Sequence, residues 1–178
     1  STVENTNVIR RNLVYGNATA VGTSGGIVIG SGTGNQAYNN IVRGSSQDIC
    51  IQVDFNSVNG KVYNNTCYNT GGDGIVVGSD GTNTGNEVKN NIVKGSTGRP
   101  VRVYANSTSA TVSNNDFHGN SLDSVLDNGV TTTISGNITT DPQFVNAAGD
   151  DFHLQSGSGA IGAGLDLSGT FTTDFYGT

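Results

Sequence analysis

The sequence predicts an all-β domain in which short strands wind into coils stacked along one axis. Three observations predict it: a composition poor in helix formers, an asparagine marker that recurs along the chain, and a β-branched run after each marker. The 178 residues include 27 Gly but 2 Pro, no Met and no Trp, and 12% are charged. Long helices draw on Ala, Leu, Glu, Lys and Arg, which are scarce here. Val, Ile and Thr interleaved with Gly and Asn instead suit short strands joined by tight turns.

In chain order, the marker is the second residue of an N-N pair or its equivalent. It falls at Asn12, Asn40, Asn65, Asn91, Asn115 and Asn137, at steps of 28, 25, 26, 24 and 22 by subtraction. Three residues before each stands an apolar residue: Ile9, Ala37, Val62, Val88, Val112 and Ile134. Two residues after come Val14, Val42, Cys67, Val93, Phe117 and Thr139. A further run then follows at a looser distance: G-I-V-I-G at 26–30, D-I-C-I-Q-V at 48–53, G-I-V-V-G at 74–78, P-V-R-V-Y at 100–104 and S-V-L-D at 124–127. Each repeat thus supplies about three strands. A unit of this size cannot bury its own apolar face and must stack on its neighbours, with strands roughly 4.8 Å apart in parallel sheets.

The paired asparagines follow from that stacking. Where one strand bends sharply into the next, a residue must take a left-handed backbone, which Asn tolerates well. An inward-pointing Asn must have its amide hydrogen-bonded. The identical amides one coil above and below satisfy it, donor to acceptor, as a ladder.

These repeats resemble those of the pectate-lyase-like superfamily. So does the tail: D-P-Q-F-V-N-A-A-G-D-D-F-H-L-Q-S-G-S-G-A-I-G-A-G at 141–164 is similar to the closing segment of secreted bacterial β-helix proteins, with Gly159 where Pro is usual, and T-D-F-Y-G at 173–177 looks like the final element. The resemblance implies a single-stranded right-handed parallel β-helix of about six coils over residues 1–140, with an aromatic-rich C-terminal capping segment over 141–178. It implies a bacterial protein that is secreted or at the cell surface. Catalytic relatives carry more coils and an N-terminal capping helix. The chain is therefore expected to be either a minimal module or the C-terminal fragment of a larger β-helix enzyme, with additional N-terminal coils or a domain in the parent protein.

Composition narrows the partners. The formal net charge is -6 with no basic cluster, which argues against a nucleic acid, and no apolar run approaches the length of a membrane span. Cys50 and Cys67 both fall in strand-like runs, which favours free thiols over a disulfide. His118 and His153 stand singly and read as structural.

The G-I-V-I run and its flanks gather the groups suited to chemistry. Alternation places Ile27, Ile49, Ile75 and Val101 inward with Ile29, Ile51, Val77 and Val103, and Val28, Cys50, Val76 and Arg102 outward. Asp48, Gln52, Asp54, Asp73, Asp80, Arg99 and Tyr104 lie at the flanks. The resemblance implies acidic-polysaccharide lyase chemistry, in which a cation neutralises a uronate carboxylate and a base removes the adjacent proton. On that reading Asp48, Asp54 and Asp73 hold Ca²⁺, Arg102 and Asp73 are catalytic, and Gln52, Arg99 and Tyr104 bind the sugar. A glycoside hydrolase would instead pair Asp48 with Asp73. The competing readings are a non-catalytic module that binds carbohydrate or mediates surface adhesion, and acidic residues that merely close turns.

Overall fold

The computed structural model describes residues 6–16, 25–44 and 49–177. All but its last two strands fall into three parallel sheets wound about one axis, as the repeat requires. The first sheet is Val8–Arg10, Gln36–Tyr38, Lys61–Tyr63, Glu87–Lys89, Thr111–Ser113 and Thr133–Ser135. The second is Leu13–Tyr15, Ile41–Arg43, Thr66–Tyr68, Ile92–Lys94 and Asp116–His118, extended by a bridge from Asp116 to Ile138. The third holds Gly25–Thr33, Ile49–Val58, Ile75–Val77, Val101–Val103 and Leu126–Asp127, with Asn83–Thr84 and Ser107–Thr108 branching from its long second strand. Six rungs in the first sheet and five in the second make about five full turns. No helix among the described residues is long and apolar enough to cross a membrane.

Register follows the asparagine marker. Ala37, Val62, Val88 and Val112 stack inward from the first sheet, and Val42, Cys67, Val93 and Phe117 from the second. All are at most 2% exposed, so each Val and Phe among them contributes about 1.5–3 kcal/mol of apolar burial. The marker amides form one continuous internal column. Nδ2 of Asn12, Asn40, Asn65, Asn91 and Asn115 donates to Oδ1 of the next marker at 2.9–3.0 Å. Each Oδ1 also accepts the backbone N–H of the marker one coil back at 2.9–3.1 Å. The preceding residues, Asn39, Asn64, Asn90 and Asn114, take φ of 50–57°, the left-handed corner that asparagine accommodates.

The third sheet departs from the expected alternation by two residues. Ile51, not Ile49, aligns with Ile27 and Ile75; Gln52, not Cys50, aligns with Val28 and Val76. Cys50 therefore belongs to a corner row with Gly26, Gly74 and Pro100. This row points inward: a Cβ on Gly26 would lie 2.7 Å from Val42 Cγ1, and one on Gly74 2.4 Å from Val93 Cγ1. Cys67 occupies the same place in the second sheet between Val42 and Val93, so the Cys50 side chain is aimed at it. The two form a disulfide with Cα atoms 5.8 Å apart, within the bridging range. The expectation of free thiols is corrected on this geometry.

The closing segment covers a flank instead of the last coil. An antiparallel pair, Phe144–Asn146 with Asp151–Leu154, lies on the outer face of the second sheet. Phe144 and Phe152 pack on Tyr68 with ring centroids 6.0 and 5.4 Å away. Arg43–Asp150 and Lys94–Asp141 ion pairs fasten it. The chain then runs back toward the first coil along the corner between the first two sheets. There the outer asparagines hold it: Asn114 Nδ2 donates to Ala163 O at 3.3 Å, Asn90 exchanges two bonds with Leu165 at 2.8 and 2.9 Å, and Asn39 Nδ2 donates to Thr173 O at 2.5 Å. Arg11 Nε donates to Phe175 O at 3.2 Å, and Phe171 stacks on Tyr38 at 4.8 Å. The last coil keeps Leu122, Val130 and Ile134 about half exposed. Three of the four corner asparagines, Asn39, Asn90 and Asn114, thus set the backbone bend and offer their amides to this strap.

Candidate functional site

The residues expected to carry chemistry do gather on the outer side of the third sheet, but most are committed to turns. Asp54 is fully buried. Its Oδ1 accepts the Asp80 N–H at 2.6 Å and Asn83 Nδ2 at 3.5 Å, and its Oδ2 accepts Gln52 Nε2 at 2.8 Å and the Ser79 hydroxyl. Gln52 is 2% exposed and also donates to Ser79 Oγ at 3.1 Å. A carboxylate so used closes the loop around 78–83, and neither side chain reaches solvent to meet a polymer. The burial follows from the shifted register, which puts Gln52 in the Val28–Val76–Arg102 row, where Val76 is also 1% exposed.

Asp73 and Arg102 meet. Arg102 Nε lies 2.6 Å from Asp73 Oδ2, with the guanidinium one-third exposed. Asp73 Oδ1 also accepts the Arg99 N–H at 2.7 Å, and Arg99 Nη1 donates to Ser124 Oγ at 3.0 Å. The Arg102 guanidinium lies 5.7 Å from the Tyr104 ring centre. Arginine is a poor base in any setting, and here the Arg102 guanidinium is engaged with a carboxylate. Asp48 lies outside the described residues, so the proposed Asp48–Asp73 hydrolase pair is not placed.

Of the expected Ca²⁺ ligands that are described, Asp54 is saturated, and Asp73 is held by the Arg102 guanidinium and the Arg99 backbone N–H. Among the described residues no three His, Cys, Asp or Glu side chains are grouped to hold a metal ion. What the arrangement offers is a partly exposed, rigid cluster of Arg102, Tyr104 and Arg99, with Val28 and Phe55 about 40% exposed elsewhere on the sheet. His118 and His153 sit apart from it; His153 Nδ1 is 2.6 Å from Asp151 Oδ1 and its ring stacks on Tyr176.

Sequence reasoning missed a second place. Under the strap a cavity of about 440 Å³ runs along the corner of the first two sheets, and Asp116 lines it at 4% exposure. Burial pushes the Asp116 carboxyl up to about 6, with the Thr140 hydrogen bond opposing the shift only in part. The signal was present. The residue after each marker reads Leu13, Ile41, Thr66, Ile92, Asp116 and Ile138, so the aspartate breaks an apolar row. Nothing in the chain's order showed that the row would be roofed.

A family model described as a right handed beta helix region matches residues 1–117, the part that holds the first five marker asparagines. Comparison with curated proteins and with solved structures returned no match.

Proposed function

We propose, for a chain that belongs to the right-handed β-helix family, that the outer face of the third sheet binds an extended acidic polysaccharide without cleaving it. The observation that carries this reading is the Asp73–Arg102–Tyr104 cluster, with its guanidinium oriented by a 2.6 Å ion pair and lying over an aromatic ring. A fixed, planar guanidinium presents paired donors to a uronate carboxylate or vicinal hydroxyls, and an aromatic face supports the apolar side of a sugar ring. Strands from successive coils repeat roughly every 4.8 Å, so the face is long in one direction, as a polymer requires. Fold alone does not choose among ligands; the choice rests on these side chains. The reading places the protein outside the cell, and the Cys50–Cys67 disulfide supports an oxidising compartment.

A glycan array probed with the protein and with an Arg99→Ala/Arg102→Ala variant tests the reading. Retention on uronate-bearing glycans, lost in the variant, is the expected result. Absence of retention on every glycan, or equal retention by the variant, sinks it. A parallel ultraviolet assay on pectate, alginate and glycosaminoglycans, with and without Ca²⁺, is expected to show no unsaturated product; its appearance would return the protein to the lyase class.

A further inference from the structure

We infer that the cavity beneath the C-terminal strap is a binding site for a short aliphatic diamine, with the Asp116 carboxylate as its charged anchor. The site is separate from the polysaccharide face, on the other side of the solenoid, and stands or falls independently of it.

The floor of the cavity is the row that follows the marker asparagines. Ile41, Thr66, Ile92 and Ile138 present apolar or weakly polar side chains, and Asp116 alone is ionisable in that row. The roof is the strap and the pair of strands before it, contributing Phe152, Leu154, Ala163 and Leu165. Asp116 Oδ2 accepts the Thr140 hydroxyl at 3.2 Å, whereas Oδ1 is buried without a partner. A buried carboxylate oxygen left unpaired is costly, and here it belongs to a residue that lines a space large enough for a small molecule.

The chemistry of the lining selects the ligand. No Lys, Arg or His among the described residues lines the cavity, so an anion finds no counter-charge. The remaining unpartnered buried atoms of its wall are acceptors too: Oδ1 of Asn39 and of Asn64. The Asn39 orientation is set by its Nδ2 bond to Thr173 O. The ligand must therefore bring donors and positive charge. Among the described residues no three His, Cys, Asp or Glu side chains are grouped to hold a metal ion, and Asn64 lies two rungs from Asp116, roughly 10 Å at the usual strand separation, too far for the two to share one cation. Two ammonium groups joined by a short methylene chain satisfy both ends, with the chain over Ile92.

The charge on Asp116 gives the site a signature. With its carboxyl pushed up to about 6, ammonium binding must favour the ionised form and so release a proton at mildly acid pH. Asp174 lines the same cavity, and the other charges near Asp116 are His118 and Asp141; Asp141 is paired with Lys94.

Titration calorimetry of the whole chain with putrescine at about pH 7.5 is the test, with butanediol as the neutral analogue of equal length. We expect saturable binding of putrescine, none of butanediol, and about tenfold or greater weakening in Asp116→Asn, since a charge-assisted bond is lost. On the unaltered protein, affinity should also fall at least about fivefold from pH 7.5 to about pH 5 as Asp116 takes up a proton, which keeps the test independent of whether the variant folds. No saturable putrescine heat, equal binding of butanediol, or a pH-independent affinity would each overturn the assignment.

Discussion

Replacing Asn91 by Ala removes a middle rung of the amide column, and the loss can be worked out bond by bond. Asn91 is fully buried. Its Nδ2 donates to Val62 O, Lys89 O and Asn115 Oδ1 at 2.9, 3.0 and 2.9 Å, and its Oδ1 accepts the backbone N–H and Nδ2 of Asn65, both at 3.0 Å. In the variant, Asn65 Nδ2 keeps Ala37 O, and Asn115 Oδ1 keeps the residue-91 backbone N–H. The Asn65 backbone N–H loses the acceptor it has here. One orphaned buried donor costs about 1–3 kcal/mol and each lost but partly compensated bond about 0.5–1.5 kcal/mol, so we expect a loss of roughly 3–5 kcal/mol. Against a typical domain stability of about 5–15 kcal/mol, that should appear as a large drop in the urea midpoint with little change in slope. Asn128→Ala, at an exposed position, serves as control and should move stability by no more than about 0.5 kcal/mol. If Asn91→Ala costs under about 1 kcal/mol, no more than a surface asparagine, the column does not hold the coils together and the account of the marker fails.

Three further outcomes follow from the same structure. Removing the Cys50–Cys67 disulfide, which closes a separation of 17 residues, by a Cys50→Ala/Cys67→Ala double substitution should lower stability by about 3 kcal/mol; an unchanged urea midpoint would contradict it. Because Asp116 binds its proton more tightly folded, at about 6, than at its ordinary 3.8, its contribution is full below about pH 4 and is lost as pH rises through about 6. The loss is at most about 3 kcal/mol, and the difference in stability between the protein and Asp116→Asn, measured across that window, should follow it. Phe171→Ala deletes the ring stacked on Tyr38 and should speed limited proteolysis within the strap while leaving the coils resistant; equal cleavage rates would argue that the stack does not fasten it.

Residue pattern alone determined the coils, because a solenoid repeats one local problem. Every turn needs a left-handed corner and an internally satisfied amide, and both demands fall on the same two positions, as Asn64–Asn65 and Asn90–Asn91 show. The third sheet was read two residues out of register at Cys50 because nothing local distinguishes Ile49 from Ile51; the row of corner contacts with Val42 and Val93 decides it. That packing also made the disulfide and buried Gln52 and Asp54, which as bare residue types looked like ligands. The tail's aromatic content announced a covering segment, but its route along the outer asparagines depends on amides far apart in sequence, such as Asn39 with Thr173 and Asn90 with Leu165. Local conformational demands are written residue by residue, and so the winding was legible. Which carboxylate is spent on a turn and which is left unpaired in a cavity depends on neighbours one or more coils away, and only the tertiary structure assembles those.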